Sequence, residues 1–236
     1  GVVAAQSIGE PGTQLTMRVR PAGGIVGLDV TQGLPRVEEL FETRTPKVRS
    51  PIVEISGKVR ISNVVDGIKV EVISQATRPQ EVREYVVPLT SQLLVKDNQL
   101  VTSGQQISSG YLDIKEVLSV RGLKGVQKYL IDEVQKVYES QGIPINDKHF
   151  EVIVKKMGDK VRVEAAGDTD MLPGELVDKA IFEEKNAKVL AEGGDAATAQ
   201  VVILGITRAA LYTDSWLSAA SFQETTRILT DAAIEG

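Results

Sequence analysis

The sequence predicts an α+β chain in three parts: a helical hairpin over residues 1–50, a small all-β barrel or sandwich module over 51–110, and a mainly helical region with short strands over 111–236. Three observations carry that prediction. Apolar residues recur at helical spacing as far as Phe41, switch to alternation after Pro51, and return to helical spacing after Asp113. With 236 residues, 42% of them hydrophobic and 25% charged, the chain can bury the core of one or two domains. No apolar run is long enough to span a bilayer and no basic, apolar leader opens the sequence, so no membrane partner is expected. The absence of cysteine excludes disulfides and thiolate metal sites and is compatible with a reducing cytosol. The chain opens without Met inside an apolar helical run, Gly1 to Ile8, and both of its ends read as cut points.

In the first part, Gly9, Pro11 and Gly12 break one helix before Thr13, read as an N-cap, opens another through Gln14, Leu15, Met17 and Arg18. A second helix follows in which Pro35 occupies a tolerated first-turn position and Leu34, Val37, Leu40 and Phe41 recur at helical spacing. Between the two arms lie Pro21, Gly23, Gly24 and Gly27. Glycine costs about 1 kcal/mol per helical position relative to alanine, so residues 19–29 read as an irregular loop and the whole stretch as a hinge.

Period-two patterning puts Val53, Ile55, Val59 and Ile61 on one face of a strand and Glu54, Lys58 and Arg60 on the other. Asp66-Gly67 reads as the turn into a second alternating run, Ile68, Val70 and Val72. The run from Tyr85 to Leu89 carries Pro88, which confines it to a sheet edge. Turns at Lys96-Asp97-Asn98 and at Gly104 separate the short apolar pieces that follow, as in small barrels.

Helix returns at Asp113, with Val126, Leu130, Val134 and Val137 as the apolar stripe, Tyr129 and Tyr138 beside it, and Gly142 as the stop. Asn146-Asp147 caps a further helix whose Phe150, Ile153, Val154 and Met157 face inward. Lys160 to Glu164 alternates again, Val177 to Leu190 reads as helix, and residues 193–200 as an exposed loop. Ser221 and Glu224 form a capping-box pattern, which predicts one helix from about Phe222 to Ile234 with Trp216 and Phe222 as buried anchors.

Chemistry is sparse. There is no Gly-rich phosphate loop followed by Lys and Ser/Thr, and a single histidine, His149, in a helical first turn reads as structural rather than as part of a catalytic triad or a metal site. Asp168 and Asp170 lie between turn-forming Gly167 and Pro173-Gly174, with too few oxygen ligands for a calcium loop, and read as a plain turn. The net charge of −5 argues against a free-standing nucleic-acid binder. Locally, Arg18, Arg20, Arg36, Arg44, Lys47 and Arg49 outnumber Asp29, Glu38, Glu39 and Glu42, an excess read from the residues alone as a solvated helix face.

The blocks QSIGEPGTQLTMR, GG and DVTQGLPRVEELFE resemble the trigger loop of the bacterial DNA-directed RNA polymerase beta-prime subunit. The resemblance continues through QGIPINDKHFEVIVKKM and WLSAASFQETTRILTDAAI and so covers essentially the whole chain. It implies a cytoplasmic nucleotidyltransferase that carries out transcription. Its partners would be the beta, alpha, omega and sigma subunits, a DNA template, RNA and nucleoside triphosphates. In such an enzyme phosphoryl transfer uses Mg2+ held outside this segment, while the trigger loop closes on the incoming nucleotide. The β module would match the jaw that faces downstream DNA, and the last block a region near the switch.

Carried over by position, Gln14 matches the ribose-side contact, Met17 the residue that packs on the incoming base, and Arg18 the triphosphate contact. A thioether adapts to any base, and a guanidinium donates a fork of hydrogen bonds to phosphate. One position departs. Where the family reads MRTFHTGG, this chain has Pro21 in place of the histidine, so no catalytic side chain is assigned. Proline has neither proton nor amide N–H to give, and costs roughly 3 kcal/mol inside a helix. Arg20 would lie about 100° around a helix from it. Two other readings stand beside this one: a barrel-type carrier module bearing a modified Lys96 on its turn, and a divergent polymerase paralogue with an altered trigger loop.

Overall fold

The computed structural model describes residues 1–17, 33–65, 67–74 and 80–235. In chain order its elements are α1 (Val2–Gly9), α2 (Gly12–Met17), α3 (Leu34–Phe41), β1 (Gly57–Val64), β2 (Gly67–Ile73), β3 (Val82–Val87), β4 (Leu100–Val101) and α4 (Ile114–Ser140). They continue with α5 (Asp147–Met157), β5 (Lys160–Ala165), β6 (Leu176–Asp178), α6 (Lys179–Ala191), β7 (Thr198–Val201), α7 (Ile206–Leu211), α8 (Trp216–Phe222) and α9 (Thr225–Glu235). The fold is α+β, as the sequence predicts. Two compact units form: one from Gly1–Gly9, Phe41–Thr43 and Asn146–Gly236, the other from Glu10–Leu40 and Arg44–Ile145.

The second unit contains an antiparallel sheet in the order β3-β2-β1-β4, curled into a half-barrel. β-Branched residues at alternate positions fill its concave side: Val59, Val70, Val72 and Val87 pack with Val53, Val95, Val101 and Ile107. The pairing of Val59 with Val72 and of Ile61 with Val70 keeps the two valine faces in register. β3 is an edge strand and ends before Pro88, where the missing N–H would break a ladder. The hairpin turn sits one residue earlier than the sequence suggests. Val64 pairs with Gly67, so Gly67 opens β2 and Val65 and Asp66 make the connection, Asp66 itself lying outside the described residues. Glycine is needed there for proximity, because a Cβ on Gly67 would stand 2.5 Å from the Val87 carbonyl oxygen.

α4 begins at Asp113, whose carboxylate accepts the Lys115 N–H at 2.8 Å. Gly122 breaks its helical geometry (φ 69°, ψ −176°), and the preceding Arg121 reaches across to the Gly104 carbonyl, Nε at 3.0 Å. Beyond the break, Val126, Leu130, Val134 and Tyr138 are buried at intervals of four. Tyr138 thus takes the core position expected of Val137, because the stripe follows i+4 steps throughout. α2 also starts a turn-step earlier than expected: the Leu15 N–H bonds to the Pro11 carbonyl at 3.1 Å, which places Thr13 inside the helix and not at its cap.

In the first unit, β5 lies between β6 and β7 over a small core of Val163, Met171, Val177 and Ala197. Asn146 caps α5 through the Lys148 N–H, and Phe150, Val154 and Met157 are buried. Four expectations fail in this unit. Val177 belongs to β6, so the helix begins at Lys179. Residues 198–200, the end of the 193–200 stretch expected as exposed loop, belong to β7 and pair with β5. Instead of one capped terminal helix there are two, because Ser221 lies within α8 with its hydroxyl on the Ser218 carbonyl, while Ser215 caps α8. Glu224, at φ 52°, turns the chain into α9. Trp216 and Phe222 are 51% and 49% exposed and anchor no core among the described residues.

Gly57 tests the tight packing of the half-barrel, since a Cβ on it would stand 2.2 Å from the Ile73 carbonyl oxygen, against backbone that cannot yield. Gly57→Ala should destabilise the chain by about 3 kcal/mol, near the top of the range for overpacking. Gly9→Ala, whose Cβ meets nothing within 4 Å, should be close to neutral. Urea midpoints of the two variants measure the difference, and equal midpoints would refute the assigned strand packing.

Candidate functional site

α2 and α3 stand on either side of residues 18–32. Gln14 is exposed on α2 while its neighbour Leu15 is fully buried, so one face of this short helix is anchored and the other is presented. Met17 is the last residue of α2. Arg18 and Pro21 lie outside the described residues, as does the expectation of an irregular loop over 19–29. The structure places two of the three residues expected to contact nucleotide, Gln14 and the backbone of Met17, on one helix, while Arg18 lies outside the described residues.

α3 is held by a residue that the sequence reading left on a solvated face. Arg36, in the first turn of α3, is 2% exposed. Its Nη1 donates to Glu39 Oε2 at 2.5 Å, and its Nη2 donates to Glu133 Oε2 at 3.3 Å and to the Tyr129 hydroxyl at 3.5 Å. Its guanidinium carbon lies 3.5 Å from the centre of the Tyr111 ring, a stacked cation–π arrangement. Tyr129 in turn accepts the Leu112 N–H at 3.1 Å, so α3, α4 and the segment between β4 and α4 meet at one guanidinium. Glu133 also receives Lys136 Nζ at 2.7 Å. A cavity of about 460 Å³ opens beside the cluster, lined by Arg36, Tyr111, Tyr129, Glu133 and Lys136.

Helical spacing held a signal for this. Arg36 lies one full turn before the buried Leu40 and beside the buried Val37, on the face the apolar residues mark as inward. Burial raises the Tyr129 phenol to about 12, with Glu133 adding to the shift, and burial alone carries Tyr138 to about 12. Tyr111 is raised as well, chiefly by burial.

The remaining candidates resolve into structural roles. Asp168 accepts the Asp195 N–H at 2.7 Å, and Asp170 pairs with Lys185 at 2.8 Å, which holds the Asp170 carboxyl below its ordinary range. Among the described residues no group of three or more His, Asp or Glu could hold a metal ion. His149 is half-buried, its N–H closing the first turn of α5 on the Asn146 carbonyl at 3.1 Å. Lys96 is exposed at the start of a tight turn whose Asp97 is tied to the Ile61 N–H at 3.0 Å. No helix among the described residues is long and apolar enough to cross a membrane.

Among the described residues the arrangement is a curled antiparallel sheet preceded by two short helices on either side of a glycine-rich stretch of sequence, and followed by a long helix tied back to the second of them. The sequence model of the family RNA polymerase Rpb1, domain 5, matches residues 1–214, and the chain belongs to that family. It is 53% identical over 236 residues to the DNA-directed RNA polymerase subunit beta' of Caldanaerobacter subterraneus subsp. tengcongensis, covering 100% of this chain and 20% of that one. It is 55% identical to the subunit beta' of Acetivibrio thermocellus, with the same coverage. Against the subunit beta' of Dehalococcoides mccartyi it is 46% identical over 301 aligned positions, 23% of that chain. The chain spans about a fifth of the length of these curated relatives. The family match takes in Lys96 together with the helices on both sides of the β module, which the carrier reading leaves unexplained.

The tyrosine cluster carries a pH dependence of definite sign. An ordinary tyrosine releases its proton near 10, whereas folded Tyr129 holds it to about 12. The unfolded chain thus gains stability by ionising first, and folding stability should be complete below about pH 10 and fall between about 10 and 12. Replacing Tyr129 by Phe should flatten that decline, at the cost of the Leu112 hydrogen bonds at every pH. Urea midpoints taken at intervals from pH 9 to 12 provide the measurement. An unchanged alkaline slope in the variant would exclude Tyr129 as its source.

Proposed function

We propose that this chain forms part of the largest catalytic subunit of a bacterial DNA-directed RNA polymerase and contributes its trigger loop to nucleotide addition. The match of the family model to residues 1–214 carries this reading. In it residues 1–50 act as the trigger-loop hairpin, 51–110 as a jaw-like module facing downstream DNA, and 111–236 as a helical region whose end lies near the switch. The partners are the beta, alpha, omega and sigma subunits, the DNA template, the RNA product and nucleoside triphosphates, in the cytoplasm.

Each proposed contact suits its residue. Gln14, exposed on α2, can donate and accept hydrogen bonds at a ribose edge. Met17 supplies polarizable apolar surface to whichever base is present. Arg18, next along the chain, offers a bidentate guanidinium to the triphosphate as charge develops there. Pro21 supplies no acid, so this loop acts by positioning and electrostatics instead of proton donation. The Mg2+ of the complete polymerase would promote transfer by polarising phosphoryl oxygens; the described residues offer it no site, and its ligands are assigned outside this chain.

The test is single-turnover nucleotide addition by a complete polymerase built with this segment. Arg18→Ala should slow addition about a hundredfold, the scale for losing one donor to a transition state, with promoter binding little changed. Pro21→His should speed it. The chain alone, supplied with template, nucleotides and magnesium, should make no RNA. Addition rates indifferent to both substitutions would defeat the trigger-loop reading, and synthesis by the isolated chain would defeat the assignment of the metal ligands elsewhere.

A further inference from the structure

We propose that the hollow between the outer face of β5 and β6 and the end of α7 binds a compact phosphate ester with a flat ring, the chemistry of a free nucleotide. The hollow has a volume of about 630 Å³ and is lined by Arg162, Gly174, Glu175, Leu176, Arg208 and Tyr212, all within the first unit. That volume falls within the range of about 300–1,000 Å³ typical of small-molecule sites. The inference goes beyond the trigger-loop reading and does not depend on it.

Strand alternation aims Arg162 outward. Val161 and Val163 on either side of it are buried, so Arg162 stands exposed on the opposite face of β5, with Leu176 as its cross-strand partner on β6. The turn into β6 is pinned to the same strand, because Gly174, at φ 87°, donates its N–H to the Val163 carbonyl at 2.8 Å. Glu175 lines the hollow but its carboxylate is already engaged, accepting the Leu172 N–H at 2.9 Å. From the other side come Arg208 and Tyr212, one turn apart at the end of α7, with the guanidinium carbon 5.6 Å from the centre of the ring.

What singles the hollow out is uncompensated charge. Arg44, Arg49, Arg83 and Arg227 each pair with a carboxylate, whereas neither Arg162 nor Arg208 forms an ion pair among the described residues. Two free guanidiniums are matched by a phosphate monoester, which carries about −1.5 to −2 at neutral pH and accepts a fork of hydrogen bonds from each. A phosphodiester strand is matched less well, since each phosphate carries a single charge and the strand needs a continuing track of cations. No such track continues toward Lys160. Asp178, two residues beyond Leu176 on the same face of β6, and Asp214, two residues beyond Tyr212, stand 2.9 and 3.9 Å from Lys160 Nζ. Tyr212 supplies a ring against which a base stacks, a contact that tolerates any base.

The test uses the complete polymerase carrying this segment, with a photoreactive azidoadenosine monophosphate as probe and the labelled peptides mapped by mass spectrometry. A monophosphate has no pyrophosphate to release, so nucleotide addition does not consume it. Label should appear on the peptide that carries Tyr212 and be competed by adenosine monophosphate but not by adenosine. It should fall at least about tenfold in Arg162→Ala and in Arg208→Ala, each of which removes one charge-assisted fork. If Arg208→Ala yields no assembled enzyme, Arg162→Ala decides by the same criterion. Absence of label from that peptide, or label indifferent to the arginine substitutions, overturns the site. Competition by a single-stranded oligonucleotide at lower concentration than by the monophosphate assigns the hollow to a nucleic-acid strand and overturns the free-nucleotide reading.

Discussion

The buried guanidinium of Arg36 is the constraint on which the second unit's helices depend. Desolvating a charge costs several kcal/mol, so a buried ion pair contributes little net stability even when well made. Here the cost is offset by two carboxylates, a phenol and an aromatic face around one group that is 2% exposed. Arg36 Nε is buried with no hydrogen-bond partner among the described residues, which limits the gain further. Stability alone is a poor reason for such an arrangement. Its distinguishing property is orientation: the guanidinium donors are fixed in one plane, so a placement of α3 that loses Glu39 or Glu133 leaves buried charge less well compensated, a directional penalty that a cluster of leucines does not impose.

Much of the fold was legible because its periodicities are local. Alternating valines gave the β module, and the four-residue steps of Val126, Leu130 and Val134 gave α4. Asn146 ahead of Phe150 and Val154 gave α5 with its cap. What failed was set by contacts remote in sequence. Gly67, read as part of the turn, lies in β2 opposite Val64, where a Cβ would meet the Val87 carbonyl, twenty residues on. Residues 198–201 form a strand of only four residues after a Gly-Gly-Asp-Ala-Ala run, too short to read by alternation, and β5 supplies the edge they pair with. Ser221 and Glu224 have the spacing of a capping box, but Ser215 had already opened a helix that runs through Ser221.

The candidate site divides in the same way. Gln14, Met17 and Arg18 have no property in composition or spacing that marks them as ligand contacts, and only resemblance to a family singles them out. Arg36 had a physical signal that was available and outweighed: a charge one turn from a buried leucine, followed three residues later by Glu39, on a helix whose other inward positions are apolar. Counting basic residues along the chain averaged Arg36 with exposed neighbours such as Arg44, whose side chain is 60% exposed in its pairing with Glu38. Helical phase separates the two arginines, and net charge does not. Glu133, ninety-seven residues away, could not be assigned as the partner by any local rule.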